Sequence, residues 1–377
     1  MKATKTIMTL LLMLVFLIGC GYAVSAVEDE AVMPELTYDI MLDGLERPWG
    51  LAELPDGSLL FTERRGVLSV LKDSERIEVA EIDDVMARGE GGLLGVAVDV
   101  EFEENRFIYV AYNINIDGPE VRGTRFELSE DLVLDNALHI VEGLPAIESG
   151  RHSGTQLAMD QEGILWIGTG DSATANTPQD PESLGGKILR VTRDGEPAEG
   201  NLEAPFDPRI FSYGHRNTQG LILFAEPVDG VYGYSAEHGS WIDDEVNVLV
   251  QGNFGWDPLP PYNEDVPMTD LDKFPDAIEA VWSSGERTIA VSGLTQLIGE
   301  QWGDFDGALV LGVQKDQHLR VLRIAEGAVV GETLLYEKEF GRIRGVMMHS
   351  DGSLYFATDN GGDDKIVRVR VVDMEDE

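Results

Sequence analysis

Short apolar segments separated by acidic, glycine-containing turns recur along the chain. Three clear copies, at 54–63, 159–171 and 348–359, share an Asp or Glu before a turn glycine, an apolar strand, and a threonine with an acidic residue nearby. A loop and a second apolar strand follow each copy. Weaker copies lie at 99–112, 227–237 and 305–313. This pattern predicts short β-strands joined by tight turns, and no long amphipathic helix is indicated.

Six units of roughly 50 residues predict a β-propeller. Each unit would form one blade of four antiparallel strands, giving an all-β, six-bladed β-propeller over residues 36–372. A β-sandwich would not repeat in this way, and solenoid repeats are shorter. The Pro- and Asp-rich segment 257–275 is predicted to be a long insertion between blades that forms a wall of the functional site. Because blade loops converge at one face, residues distant in sequence are expected to meet there.

The N-terminal residues have the pattern of an export signal. Basic residues precede an apolar run at 7–18, which is short for a membrane span, and the tetrapeptide ending at Cys20 resembles a bacterial lipobox. We therefore expect residues 1–20 to be a lipoprotein-type signal peptide cleaved before Cys20, placing the protein in the periplasm or at the cell surface. Cleavage after Ala23 or Ala26, which would release a secreted protein, is the alternative.

The overall charge is strongly negative. The 377 residues include 69 acidic and 28 basic ones, for a net charge of −41. Residues 21–35 are predicted to be an acidic tether, and 373–377 an acidic tail. Such a surface repels polyanions, so we expect no nucleic-acid partner and membrane contact only through a lipid anchor at Cys20. The oligomeric state is not predicted.

Candidate chemistry is best defined in segment 151–171. Its apolar residues flank a turn at 161–163, which predicts a β-hairpin whose two polar ends lie at one rim. His152 begins this hairpin and Asp171 ends it, so we expect a base beside the carboxylate that orients it. Taken alone, a loop histidine is more often an ordinary surface residue, and an aspartate at a strand end commonly caps a turn.

Cations are scarce, yet several occupy loop positions of different blades. Arg216 and Asn217 stand in a loop flanked by glycines, and Lys315 follows a strand. Arg342 and Arg344 share one side of an extended segment. If these side chains converge on the central channel, they form an anion site suited to a ligand with several carboxylates or phosphates. Solvated charges paired with the abundant acids are the alternative.

Segment 235–247 is rich in oxygen ligands, which suit Ca²⁺ better than zinc. The six scattered histidines and the single cysteine argue against a zinc site. The candidate donors are the side chains of Glu237, Asp243, Asp244, Glu245 and Asn247, with turn carbonyls at Gly239 and Ser240.

Seven motifs occur in a fixed order along the chain. They are GEGGLLG at 89–95, RHSG at 151–154, IGTGD at 167–171, YGHRN at 213–217, EHGS with DEVN at 237–247, NFGW at 253–256 and RIR at 342–344. Together they resemble the soluble quinoprotein glucose/sorbosone dehydrogenase family, especially its aldose sugar dehydrogenases. The resemblance covers nearly the whole chain after the signal segment. It implies a six-bladed propeller that binds pyrroloquinoline quinone (PQQ) and Ca²⁺.

The resemblance also implies roles for individual residues. His152 matches the general base that takes the sugar C1-hydroxyl proton, and Asp171 matches its orienting carboxylate. Glu90 stands where the family usually has a glutamine that faces the cofactor. The other implied cofactor contacts are Arg216, Asn217, Lys315, Arg342 and Arg344. The implied ligands of the catalytic calcium are the carbonyls of Gly239 and Ser240, and Ser240 replaces a usual proline. Some members have a second, structural calcium site, for which the implied ligands are Glu245 and the carbonyl of Phe254.

The sequence therefore predicts a quinoprotein oxidoreductase that oxidises aldose sugars at C1 to lactones. Hydride would pass to PQQ, and neither the preferred sugar nor the electron acceptor is predicted. One alternative is a Ca²⁺-dependent sugar lactonase, although a lone Ca²⁺ site has no need of the cations. The other is a surface-anchored propeller that binds a sugar or a partner without catalysis, and Glu90 is the feature most favourable to it.

Overall fold

A computed structural model describes residues 31–372 of the chain. The signal segment, most of the tether and the acidic tail lie outside these residues. Within them, no helix is long and apolar enough to cross a membrane. The helical elements are one turn of α-helix, α1 at Phe102–Asn105, and a 3₁₀ segment at Glu300–Phe305.

Six β-sheets are arranged in chain order as the blades of a propeller, which confirms the predicted fold. Blade one consists of β2 (Pro48–Glu53), β3 (Leu59–Glu63), β4 (Val67–Lys72) and β5 (Glu75–Glu81). Blade two consists of β6 (Leu93–Val98), β7 (Phe107–Asn115), β8 (Pro119–Leu128) and β9 (Leu134–Pro145). Blade three consists of β10 (Gly154–Met159), β11 (Leu165–Thr169), β12 (Lys187–Val191) and β13 (Ile210–Tyr213). Blade four consists of β14 (Thr218–Val228), β15 (Val231–Glu237), β16 (Glu245–Val248) and β18 (Trp282–Ser283). Blade five consists of β19 (Val291–Gln296), β20 (Leu309–Val313), β21 (His318–Ala325) and β22 (Ala328–Leu335). Blade six is β23 (Ile343–Met348), β24 (Leu354–Thr358) and β25 (Asp364–Val371), completed by β1 (Leu36–Leu45).

Blade three departs from the predicted four strands. A two-residue strand, β17 (Gly252–Asn253), pairs in parallel with β13 and makes this sheet five-stranded. The motif NFGW starts in this strand, so the extra pairing fixes Phe254 and Trp256 against blade three.

The hydrophobic core is divided among the interfaces between neighbouring blades. The second strand of a blade, such as β11 or β20, is buried along its whole length because a blade packs on each of its faces. The outer strand β22 instead alternates exposed and partly buried residues. This gradient of burial explains why the second strands gave the clearest apolar repeats.

Strand direction places the loops that carry the polar motifs at one face. In blade three, β10 pairs with β11 from Gly154↔Thr169 at that face to Met159↔Leu165 at the opposite turn, which confirms the predicted hairpin. In blade four, β14 starts at Thr218, directly after Arg216 and Asn217. The innermost strands of all six blades surround a narrow central channel of about 70 Å³.

Candidate active site

His152 and Asp171 meet at the face where their hairpin opens. The Nδ1 atom of His152 lies 2.8 Å from Oδ1 of Asp171. Both side chains are buried, with 3% of His152 and none of Asp171 exposed. His152 has a φ of 55°, a left-handed conformation that costs energy for a side chain with a Cβ, and it is held by the amide of Ser172, which donates to its carbonyl at 3.2 Å. With Nδ1 facing the carboxylate, Nε2 is the nitrogen available as a base.

The carboxylate of Asp171 receives further hydrogen bonds that keep it ionised. Trp256 Nε1 and the hydroxyl of Tyr262 each donate to its Oδ2 at 2.7 Å, and the amide of Ala173 donates to Oδ1 at 2.8 Å. Burial acts to raise the pKa of Asp171, but the contact with His152, the charge of Arg216 and the hydrogen bond from Trp256 outweigh it and hold the pKa below its usual range. An ionised carboxylate here can stabilise an imidazolium at His152.

The insertion at 257–275 supplies a wall of the site, but it lies within blade four, between β16 and β18, and not between blades as predicted. Its Tyr262 hydroxyl also lies 3.0 Å from His152 Nδ1. Its Glu264 accepts from Nε of Arg216 at 3.0 Å and also forms an ion pair with Arg151. Sequence reasoning predicted that the insertion lies beside the site but did not single out Tyr262 or Glu264.

The loop before blade four joins the hairpin to the neighbouring blades. Arg216 is buried, and its Nη1 donates to the carbonyl of His238 at 2.9 Å. The amide of Asn217 bridges two elements: its Oδ1 accepts from the backbone N–H of Gly154 at 3.1 Å, and its Nδ2 donates to Oε2 of Glu90 at 3.0 Å. Three of the predicted cofactor contacts therefore lie together, beside the start of the His152 hairpin.

Arg344 is held rigidly at the centre of the propeller. Its guanidinium donates to Asp359 Oδ2 at 2.9 Å and to the side-chain carbonyls of Gln219 and Gln314, each at 2.8 Å. Its Cζ atom also lies 3.5 Å from the ring centre of Trp49, a cation–π contact. Every branch of this side chain is engaged within the fold, so Arg344 acts as a fixed positive charge.

Arg342 and Lys315 are more exposed than Arg344. Arg342 donates from Nε to the carbonyl of Asp359 at 3.1 Å and also contacts Gln314. Lys315 donates to the carbonyl of Thr288 at 2.9 Å. The predicted cations thus belong to three blades, and Arg344 lies in strand β23 rather than in a loop. Arg342 and Arg344 share the neighbours Gln314 and Asp359, whereas Lys315 contacts a backbone carbonyl.

The loop that contains Gly239 and Ser240 is fixed by one buried carboxylate. Asp244 Oδ1 accepts from the amide of Gly239 at 2.9 Å, and Asp244 Oδ2 accepts from the amide of Ala290 at 2.8 Å. The loop also presents Trp241, which is largely exposed. The backbone at Gly239, one of the two predicted carbonyl ligands, is therefore held in place by Asp244.

Glu245 and Phe254 lie in a buried polar cluster. Burial and the neighbouring Glu237 carboxylate raise the pKa of Glu245 well above its usual range. Asn247 Nδ2 donates to Glu237 at 2.7 Å, while its Oδ1 is buried without a hydrogen-bond partner in the described part of the chain. The ring of Phe254 stacks on His215 at 4.4 Å. Two facing carboxylates and an unsatisfied amide oxygen are donors that suit a hard cation.

No group of three or more His, Cys, Asp or Glu side chains within residues 31–372 is arranged to hold a metal ion. A cation at Gly239 and Ser240, or at Glu245 and Phe254, would therefore depend on carbonyl and amide oxygens together with few carboxylates. Ca²⁺ accepts such ligand sets, whereas zinc does not.

Comparison with known proteins places this geometry in a family. A model of the glucose/sorbosone dehydrogenase family matches residues 45–368. Aldose sugar dehydrogenase YliI of Escherichia coli is 30% identical over 338 residues, which cover 85% of this chain and 89% of that protein.

Solved structures agree with the sequence comparison. The apo form of the soluble aldose sugar dehydrogenase of Escherichia coli is 28% identical with a TM-score of 0.79, covering 90% of this chain and 100% of that one. The PQQ-bound aldose sugar dehydrogenase of Streptomyces coelicolor is 28% identical with a TM-score of 0.73, covering 90% of this chain and 99% of that one. The family match spans every blade of the propeller and all the motifs around His152. The chain belongs to the glucose/sorbosone dehydrogenase family.

Proposed function

We propose that this protein oxidises aldose sugars at C1 to lactones, with PQQ as the hydride acceptor and Ca²⁺ as a second cofactor. The observation that carries the proposal is the buried His152–Asp171 pair. Because Nδ1 of His152 contacts Asp171, Nε2 of His152 is left available as a base. A lactonase would not need the arginines that lie around this pair. The family and the PQQ-bound relative support the choice of cofactor.

The residues around the pair fit an anionic quinone with several carboxylates. Arg216, Arg342 and Arg344 supply charge, and the buried atoms Gln314 Nε2 and His238 Nε2 have no hydrogen-bond partner among residues 31–372. Burial lowers the pKa of His238 to about 4, so at neutral pH it offers a neutral ring. A polar ligand bound next to the fixed cations would supply the hydrogen bonds that these buried polar atoms lack.

In the proposed reaction, His152 Nε2 takes the proton of the sugar C1 hydroxyl. Asp171 stabilises the positive charge that His152 gains, and Trp256 and Tyr262 hold Asp171 in place. Bound PQQ would supply the two-electron acceptor for the hydride that leaves C1. Arg216 is placed to offset negative charge that develops near the site. The insertion that carries Tyr262 would exclude water.

Reconstitution tests the proposal. Purified protein is mixed with PQQ and Ca²⁺, and reduction of an artificial electron-accepting dye is followed with a panel of aldoses. We expect sugar-dependent dye reduction and lactone formation. Hydrolysis of a lactone without PQQ would support the lactonase instead, and inactivity in both assays, with PQQ bound, would support a binding protein.

Ca²⁺ is expected to stabilise the protein through Glu245. Binding only to the folded state adds about 2.7 kcal/mol when the free ion is at about 100 times its Kd. Thermal unfolding of the chelator-treated protein, with and without added Ca²⁺, measures this increment. Glu245→Gln should lose much of it, whereas Asp229→Asn, at an exposed turn of the opposite face, should keep it. An equal increment in Glu245→Gln and the unaltered protein would contradict the assignment.

A further inference from the structure

We propose that Glu90 selects an aldose that carries a protonated amine, so that the substrate class is an amino sugar. The inference rests on the proposed sugar oxidation and adds the feature by which the site would discriminate among sugars. The inference is based on the carboxylate of Glu90, which lies beside the candidate base His152. This carboxylate is fixed in place and ionised, and one of its two oxygens accepts a hydrogen bond within the protein.

The backbone around Glu90 is packed against the segment that leads to His152. A Cβ on Gly89 would lie 2.0 Å from the carbonyl oxygen of Ser149, and a Cβ on Gly150 would lie 1.9 Å from that of Arg88. Contacts this close leave no room for side chains, so the two loops are locked together. Glu90 is therefore positioned by backbone contact with the His152 loop.

A second set of contacts fixes the same loop from the other side. Asn113 Oδ1 accepts from the amide of Gly92 at 3.1 Å, and Asn113 Nδ2 donates to the hydroxyl of Ser153 at 3.0 Å. Ser153 directly follows His152. The distance between Glu90 and the base thus depends on ordered elements of two blades.

The side chain of Glu90 has spare capacity to bind a cation. Oε2 accepts one hydrogen bond from Asn217 at 3.0 Å, and no ion pair of Glu90 exists among residues 31–372. The side chain is only partly buried. A carboxylate offers about four acceptor positions, so most of those on Glu90 remain open to a ligand.

Glu90 is charged in this environment. Burial acts to raise its pKa, but the charges that His152 and His238 carry when protonated, the hydrogen bond from the Asn217 amide and the charge of Arg344 together outweigh that effect and hold the pKa below its usual range. When His238 is neutral, the Asn217 amide and Arg344 still favour the ionised carboxylate. A sugar bound against His152 would therefore meet negative charge at Glu90, which favours an ammonium group and disfavours a carboxylate.

The amine takes no part in the chemistry. In the proposed reaction the electron pair of the C1–H bond would leave as hydride, for which bound PQQ would be the acceptor. The C1 hydroxyl proton would pass to His152, and the C1–O bond would become the lactone carbonyl. The ammonium group remains paired with Glu90 throughout. Selection should therefore be visible both in sugar binding and in kcat/KM.

The test compares glucosamine with N-acetylglucosamine, which has a similar shape but no charge. In the PQQ- and Ca²⁺-loaded protein we expect glucosamine to have a kcat/KM about tenfold higher, as for a charge-assisted contact. Glu90→Gln should bring this ratio close to one. Glu148→Gln removes the same charge from an exposed position in the neighbouring loop and should leave the ratio unchanged. High salt should reduce the preference of the unaltered protein.

Two direct binding measurements separate this inference from the proposed function. Calorimetry gives the affinity for each sugar, and fluorescence titration gives the affinity for PQQ, in both the unaltered protein and Glu90→Gln. Equal affinities and equal kcat/KM values for the two sugars would overturn the role of Glu90 while leaving sugar oxidation in place. If no sugar is oxidised although PQQ binds, the proposed function fails, and the calorimetric comparison still decides whether Glu90 selects the amine.

Discussion

Replacing His152 with alanine is expected to lower kcat for aldose oxidation by about 10²- to 10⁴-fold, the usual contribution of a positioned general base. The reason is that Nε2 of His152 is the base available at the site, since Nδ1 is bound to Asp171 at 2.8 Å. The pKa of Asp171 is held low, so its carboxylate is ionised and ready to stabilise the imidazolium. Initial rates of dye reduction with saturating PQQ and Ca²⁺ measure the effect.

Two controls distinguish loss of a base from general damage to the site. PQQ affinity of His152→Ala, measured by fluorescence titration, should stay near that of the unaltered protein because Arg216 and Arg344 are untouched. Tyr262→Phe removes one donor to Asp171 but keeps the base, so its loss of kcat should be much smaller. A His152→Ala protein that binds PQQ and retains its kcat would disprove the assignment.

The central pair was predictable because its geometry is local. A hairpin with a known turn fixes which residues stand opposite one another, and the pairing from Met159↔Leu165 to Gln156↔Gly168 follows from the turn at 161–163. Beyond it, an irregularity between Gly154 and Gln156 shifts the register to Gly154↔Thr169. His152 and Asp171 extend that register by only two residues on each strand. The period-two pattern was therefore enough to bring the two polar ends of the hairpin to one rim, but it did not predict the register shift that sets His152 opposite Asp171.

The partners of this pair were not predictable in the same way. Tyr262 and Glu264 belong to an aperiodic insertion, in which no repeat fixes the direction of a side chain. Their phenol and carboxylate reach the site through long-range packing, such as the hydrogen bond from Tyr262 to Asp171 across 91 positions. The one available signal was the Pro- and Asp-rich composition of the insertion, which indicated a loop near the site but not its contacts.

The contacts of the cations were also not predictable from the sequence. Their placement at loops of several blades followed from the repeat, but charge alone does not determine which neighbours a guanidinium contacts. Arg344 is engaged by Gln219, Gln314 and Asp359, and Arg216 by Glu264. Gln219 and Gln314 are neutral residues without a motif, so no pattern in the sequence marked them.

The repeat predicted six blades but did not show how the ring closes. Blade six takes three strands from the end of the chain and its fourth, β1, from the beginning. Strand β1 is mostly exposed, with the burial pattern of an outer strand, so its apolar signal is weak. Only the pairing with β25, from Leu36↔Val371 to Leu45↔Asp364, reveals its role.

Removing β1 is expected to cost about 5 kcal/mol of unfolding free energy, since strand pairing contributes about 1 kcal/mol per hydrogen bond and burial of Leu45 about 2 kcal/mol. Because domains are stable by only about 5–15 kcal/mol, a chain beginning at Glu46 should unfold at a much lower urea concentration than one beginning at Met33. Adding a peptide of residues 33–45 should restore part of the difference by re-pairing with β25. Equal urea midpoints for the two chains would show that the ring is held by contacts between blades alone, and that the pairing of the two chain ends is dispensable.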